Sequence, residues 1–209
     1  MGLKNDYTIM PIDYQTAMKI IVEKHYLHRK CPCSFSFGLF DKITNEIMGV
    51  IVYGTPSSAP LRRGICGDLE KDNVIELTRL WVDDAVPRNG ESFLIGNTIN
   101  LIDKEIVVSY ADTGVNHIGY IYQATNWIYT GLSAKRTNWT IKNIDKHCQT
   151  IADKYTSKEL KEKYGSDFSL VPRSRKHRYV YFNCDKKRKI ELMKELKYPI
   201  LPYPKAKLT

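Results

Sequence analysis

Long hydrophobic runs are missing from this chain, and so is any patterned set of cysteines. No stretch approaches the roughly 18 consecutive apolar residues that span a bilayer as a helix. The opening MGLKNDYTIMPIDYQT has no apolar core of a secretory signal, and Asp6 stands where a myristoylation sequence needs Ser or Thr. No membrane attachment is expected, and the chain reads as a soluble intracellular protein. The five cysteines are odd in number and scattered. Cys31 and Cys33 form C-P-C, one residue too close for the usual C-x-x-C, and no second pair completes a tetrahedral set. They read as buried or incidental thiols rather than as a zinc site or a disulfide framework.

Acidic residues are scarce in only one part of the chain. Residues 131–209 hold 8 Asp and Glu against 20 Lys and Arg, whereas residues 1–130 hold 15 against 12. The whole net charge of +9 therefore comes from the C-terminal part. Such asymmetry predicts a polyanion-binding face, because Lys and Arg on phosphates gain from counterion release. A solvated basic tail is the plainer alternative. The 209 residues are 43% hydrophobic, enough to bury one core of ordinary size.

The spacing of Ala17, Ile20, Ile21 and Lys24 predicts a helix over 13–26, with Asp13 as its N-cap. Phe35, Phe37 and Leu39 alternate, and EIMGVIVYG answers them across a polar turn at 41–45, the pattern of a hairpin. Residues 55–72 are rich in Pro, Gly, Ser and charge and read as a long loop. VIELTRLWVDD reads as a strand, GESFLIGNTINLI as a helix, EIVVSYAD as a buried strand and HIGYIYQATNWIY as a helix. This order predicts an α/β (α+β) fold, a mixed central sheet flanked by helices. Beyond Gly131, NWTIKNIDKH reads as a strand and turn, TIADKYTSKELKEKYG as a helix, HRYVYFNC as a strand, and the proline-rich YPILPYPKAKL as an extended peripheral tail. The expected division is a core over 1–131 and a basic region over 132–209 packed on it.

One connection carries a chemical signal. Strand ELTRLWV leads into Arg88, Asn89 and Gly90, and a helix starts near Glu91 or Ser92. The first amides of a helix lack internal partners and sit at the positive end of its dipole, which suits phosphate groups. Arg88, Asn89, Gly90, Ser92 and Phe93 are therefore candidate cofactor-binding residues, though an Arg-Asn-Gly loop is also an ordinary turn. The order strand, loop, helix, strand, helix over roughly residues 10–130 resembles the acyl-CoA-binding core of the GNAT acetyltransferase superfamily. It departs from that family's Q/R-x-x-G-x-G/A, here reduced to RNGESF.

Four stretches in order, EKHYLHR, ELTRLWVDD with PRNGESFLIG, SYADTGVNHIGYIYQATNWIYTG and RKHRYVYF, resemble the Mom family of phage DNA-modification proteins. That resemblance implies a GNAT-like core with a basic C-terminal extension, working in the host cytoplasm. The implied activity converts adenine in double-stranded DNA to N6-methylcarbamoyl-adenine and protects phage DNA from host restriction. It implies a shared cleft for His25, Tyr26, Asp112 and Tyr122, with Asp112 as general base or amine orienter. His25 and Tyr26 become proton-transfer groups, and Tyr122 a proton donor or a stacking surface. An extruded base would stack on aromatics, for which Trp127 and Tyr129 are further candidates. Taken singly, each has a plainer reading: Asp112 as an N-cap, His25 as a surface residue at a helix end, the aromatics as core.

The product has the connectivity N–CH2–CO–NH2, which attack on the carbonyl of acetyl-CoA cannot give. The group donor is therefore acetyl-CoA with its methyl carbon activated oxidatively, or a related acyl or aminoacyl donor. Iron held by His25, Tyr26 and Asp112 is one way to the former. The DNA contact is expected in VPRSRKHRYVYFNCDKKRK, through Arg173, Arg175, Lys176, Arg178, Lys186, Lys187 and Arg188. An N-acetyltransferase acting on a protein or small amine remains the alternative.

Overall fold

The computed structural model of the chain describes residues 2–144 and 155–205. A short helix, α1 (Leu3–Asp6), leads into edge strand β1 (Tyr7–Pro11), and α2 (Tyr14–Lys24) follows, with the Asp13 carboxylate accepting from the Thr16 amide. β2 (Phe35–Asp41) and β3 (Ile47–Gly54) form the expected hairpin, whose turn is set by Asp41 accepting from the Ile43 and Thr44 amides. Then come α3 (Ala59–Cys66), β4 (Val74–Val82), α4 (Gly90–Thr98), β5 (Ile106–Asp112), α5 (Tyr120–Ala124) and β6 (Ile128–Leu132). β7 (Thr137–Ile141), the helix Ser157–Tyr164, β8 (Phe168–Pro172), β9 (Lys176–Phe182) and a C-terminal helix, Lys186–Glu195, complete the described elements.

Seven strands form one sheet in the order β1-β2-β3-β4-β5-β9-β6, and β7 and β8 form a separate ribbon. Neighbours in the large sheet run antiparallel except β4 and β5, which are parallel. Side chains alternate across it with period two. Ile51 and Tyr53 join the core beneath α4 and α5, while Val50 and Val52 join the one beneath α2. On that second face α3 and the C-terminal helix close over Val74, Ile106, Val108 and Val180. Each fully buried aliphatic here, such as Ile51 or Leu94, contributes about 2 kcal/mol.

Three differences from the sequence expectation have physical causes. The loop over 55–72 contains α3, because its Ser, Pro and Gly act as helix punctuation. Ser58 caps the start, Pro60 occupies the first turn, and Gly67 ends it at φ 102°. The helix over HIGYIYQATNWIY stops at Ala124, since Asn126 turns left-handed at φ 59° and Ile128–Leu132 continue as strand. Third, β6 runs across residue 131, and β9, drawn from the basic segment, lies inside the sheet between β5 and β6. The tail crosses the outer edge, where Leu201 donates its amide to the Tyr129 carbonyl. The first five residues of the expected helix TIADKYTSKELKEKYG lie outside the described residues, as do the ends of NWTIKNIDKH and of the tail.

Candidate active site

Strands β4 and β5 pair only through Val74–Ile106, Ile75–Val107 and Glu76–Val108. Beyond that point β4 stays with β3 and β5 with β9, so the sheet splits. A cleft of about 510 Å³ opens at the split, walled by His25, Tyr26, Glu76, Arg79, His117 and Tyr122 among others. A β-bulge shapes one wall: Val52 faces Arg79 and Tyr53 faces Leu77, leaving Thr78 as the extra residue. Its hydroxyl donates to backbone oxygens, including that of Val52 at 3.1 Å. The extra residue sends Glu76 and Arg79 to the same face of the sheet.

His25 caps α2, its amide bonded to Ile21 O, and is buried. Its Nδ1 accepts from the Leu27 amide at 3.1 Å, which places the proton of the neutral ring on Nε2. Burial, then the charges of Arg79, His28 and His117, hold its pKa down to about 4. The imidazole is neutral at physiological pH. Tyr26 stacks on it with ring centroids 4.5 Å apart and meets His117 edge-on at 5.7 Å. At 47% exposure Tyr26 is accessible, as is the exposed His117, whereas His25 is covered.

Tyr122 is buried among Trp127 and Tyr179, each 5.1 Å away between centroids. Its oxygen lies 2.7 Å from Ser109 Oγ, which is 3.0 Å from the Leu77 carbonyl. Ser109 has one hydrogen and a carbonyl cannot donate, so that hydrogen goes to Leu77 and the phenol donates to Ser109. Burial pushes the Tyr122 pKa up to about 12. Trp127 and Tyr129 are core residues, Tyr129 bonded through its hydroxyl to His177 Nδ1 at 2.8 Å.

Asp112 stands behind the cleft wall rather than among the residues lining it. It caps a short 3-10 turn, accepting from the Gly114 amide at 2.8 Å, and pairs with Lys176 Nζ at 3.6 Å. Burial pushes its carboxyl up, but hydrogen bonds from Ser174 and Gly114 and the Lys176 charge outweigh this and leave it lowered. Its charge reaches the cleft through Tyr26, whose pKa is raised by burial and then by Asp112. The three groups considered for iron are not assembled as a ligand set: the Asp112 carboxylate and His25 Nδ1 are already engaged. Among the described residues no three His, Cys, Asp or Glu side chains stand together to hold a metal.

Sequence reasoning passed over Glu76 and Arg79. Burial raises the pKa of the Glu76 carboxyl from its ordinary value, against the pull of Lys176 and Arg79. The Arg79 Nε is buried with no hydrogen-bond partner. Both sit in the quoted ELTRLWV, and a charged pair inside an otherwise apolar strand was the available signal.

At the turn before α4, Asn89 supplies the left-handed backbone, φ 73°, and its side chain makes no cap bond. The Ser92 hydroxyl donates to Asn89 O at 3.1 Å. Gly90 is small for packing rather than for ligand access, since a Cβ there would lie 2.8 Å from Val86 Cγ1. Arg88 is exposed in the turn, and Phe93 packs partly on the core.

The basic residues separate into two groups. Arg173, Lys176 and Arg178 line a second cleft of about 640 Å³ that shares Glu76, Tyr110 and Lys176 with the first. Arg175 beside them donates to the carbonyls of Ser133 and Leu132, and Arg178 to Thr130. Lys186, Lys187 and Arg188 begin the C-terminal helix at the other end of the β5–β9 pair, roughly 20 Å away along the strands. There Arg188 is locked to Glu70 at 2.7 Å and Glu105 at 2.9 Å.

A seven-stranded mixed sheet split between two parallel central strands, with a cleft at the split, defines a GNAT-like acetyltransferase fold. Spermidine/spermine N-acetyltransferase SpeG from Vibrio cholerae superposes with a TM-score of 0.50 at 6% identity, over 90% of this chain and 99% of that one. Arabidopsis thaliana NAA60 in complex with a bisubstrate analogue gives 0.50 at 12%, over 84% and 97%. The Mom protein family matches residues 6–205, and the chain belongs to that family. The methylcarbamoylase mom of Escherichia phage Mu is 26% identical over 197 residues, 90% of this chain and 80% of that protein.

Proposed function

We propose that this protein is a transferase that places a methylcarbamoyl group on adenine N6 in double-stranded DNA and so shields phage DNA from host restriction. The observation that carries this reading is the cleft at the split sheet. It brings a carboxyl of raised pKa, a neutral imidazole and an accessible phenol together, beside a second, basic cleft. Membership of the Mom family and the name of the phage Mu relative support it.

In this reading the adenine is extruded from the duplex and stacks on Tyr26. Substitution at N6 releases a proton, and Glu76 accepts it: a carboxylate whose pKa burial has raised is a better base than the paired Asp112, whose pKa is lowered. Asp112 positions Lys176, and Arg79 holds the carbonyl oxygen of the incoming group while N6 bonds to its methylene carbon and displaces a leaving group from it. The uncapped N-terminus of α4 fits the phosphates of an acyl-CoA or aminoacyl donor, with Glu91 in its first turn as the opposing charge.

Mass spectrometry of nucleosides from DNA of cells making the protein tests this. The wild type should yield a heavier adenosine, and Glu76→Gln should lower its yield at least about 100-fold while the protein stays folded. Unmodified DNA alongside folded wild-type protein, or acetyl-CoA turnover on an amine without DNA, would overturn it.

A further inference from the structure

The second cleft has a feature the proposed chemistry does not use. At the base of the β7–β8 ribbon, Arg136 and Arg173 are held side by side: Arg173 donates its amide to the Arg136 carbonyl at 2.9 Å, next to the Thr137–Pro172 pair. Both line the cleft and both are exposed. Among the described residues neither guanidinium has a hydrogen bond or an ion pair, in contrast to Arg175, Lys176 and Arg178 around them. Two adjacent, unneutralised guanidinium groups repel one another, and an anion between them relieves that repulsion. Arg178 adds a third positive charge, fixed by Thr130 and by stacking on Tyr198 at 3.3 Å. Among the described residues, the single carboxylate lining this cleft is Glu76, which also lines the first cleft.

We propose that Arg136 and Arg173 grip a phosphodiester of the DNA strand next to the target nucleotide, so that the duplex lies on the second-cleft side. The extruded base then enters the split past Tyr110. This rests on the reading of the protein as a DNA-modifying enzyme. The bound chemistry is a phosphate, which a coenzyme-type donor also carries, but the helix start suited to the donor's phosphates is that of α4, whose Glu91 lines the first cleft and not the second. The ribbon supports the DNA assignment, because a two-stranded ribbon has the width of a major groove and this one rises directly from the arginine pair.

The test uses the full chain and the double variant Arg136→Gln/Arg173→Gln, with Arg136→Lys/Arg173→Lys as a charge-keeping control. Binding of a fluorescent DNA duplex of about 20 base pairs is measured across a KCl series, and coenzyme A binding by calorimetry. The Gln variant should bind duplex about tenfold or more weakly, with a log–log salt slope shallower by about 2, while coenzyme A binding stays unchanged. The Lys variant should keep the slope. Unchanged duplex affinity and slope in the Gln variant overturn the site, and so does loss of coenzyme A binding alone. The two proposals fail separately. Modified adenine with duplex binding indifferent to the arginines leaves the function and removes the site. Arginine-dependent duplex binding with no modified adenine does the reverse.

Discussion

The two ends of the β5–β9 strand pair treat the same kind of sequence in opposite ways. At the Asp112–Lys176 end, ionisable groups are brought together with their charges poorly compensated: a buried imidazole held neutral, a carboxyl of raised pKa, two unpaired arginines. At the far end, Arg188 sits between Glu70 and Glu105, and Asn73 bonds both carboxylates. One end gives up stability to hold reactive groups, and the other supplies it. A run of Lys and Arg in a sequence therefore predicts positive charge, not whether a neighbouring carboxylate has already consumed it.

Acid should separate the two ends most sharply. His25 has a folded pKa lowered from 6.5 to about 4, so its neutral form contributes stability above 6.5 that is lost as pH falls to about 4. The contribution is up to roughly 3 kcal/mol. Chemical denaturation over that range should show a stability slope in the wild type that His25→Gln flattens. Equal slopes would erase the contrast. At the far end Glu70 is lowered from 4.5, chiefly by its Arg188 hydrogen bond, so its share survives until pH falls below 4.5.

Arg188→Ala tests the far end directly. It should cost about 2 kcal/mol, or roughly 4–8 °C in Tm, because it leaves two partly buried carboxylates unpaired. The figure is discounted for partial exposure. Duplex affinity should not change, and a loss there would make this end part of the DNA surface. The smallest effect belongs to Lys186→Gln/Lys187→Gln. Both are exposed, so stability should move by less than about 0.5 kcal/mol. Duplex binding in moderate salt should hold, since roughly 20 Å exceeds the screening length of about 10 Å.

Much of the sheet was legible in the sequence because period-two alternation and apolar runs persist where both faces are buried, as in β3 and β5. Edge strand β1 escaped because YTIMP is short and buries only Tyr7 fully. The extent of α5 was misjudged because aromatic spacing does not distinguish a helix from a turn into a strand, and Asn126 decides it. At the site, His25, Tyr26 and Tyr122 line the cleft, while Asp112 is not among its lining residues. The side chains that escaped notice, Glu76, Arg79 and Arg136, are placed by contacts no linear pattern encodes: a bulge, a split between strands and the foot of a ribbon.

Thr78, the unpaired residue of β4, works as a frameshift in side-chain direction. Everything from Arg79 onward is read in the opposite phase from the residues before it, so an acid and a guanidinium three positions apart share one wall. Taking that residue into regular pairing would keep the strand apolar and well formed, yet turn Arg79 to the other side of the sheet. A related chain of the same length whose β4 pairs without the bulge would keep the architecture and lose the pairing of charges on which the proposed chemistry depends.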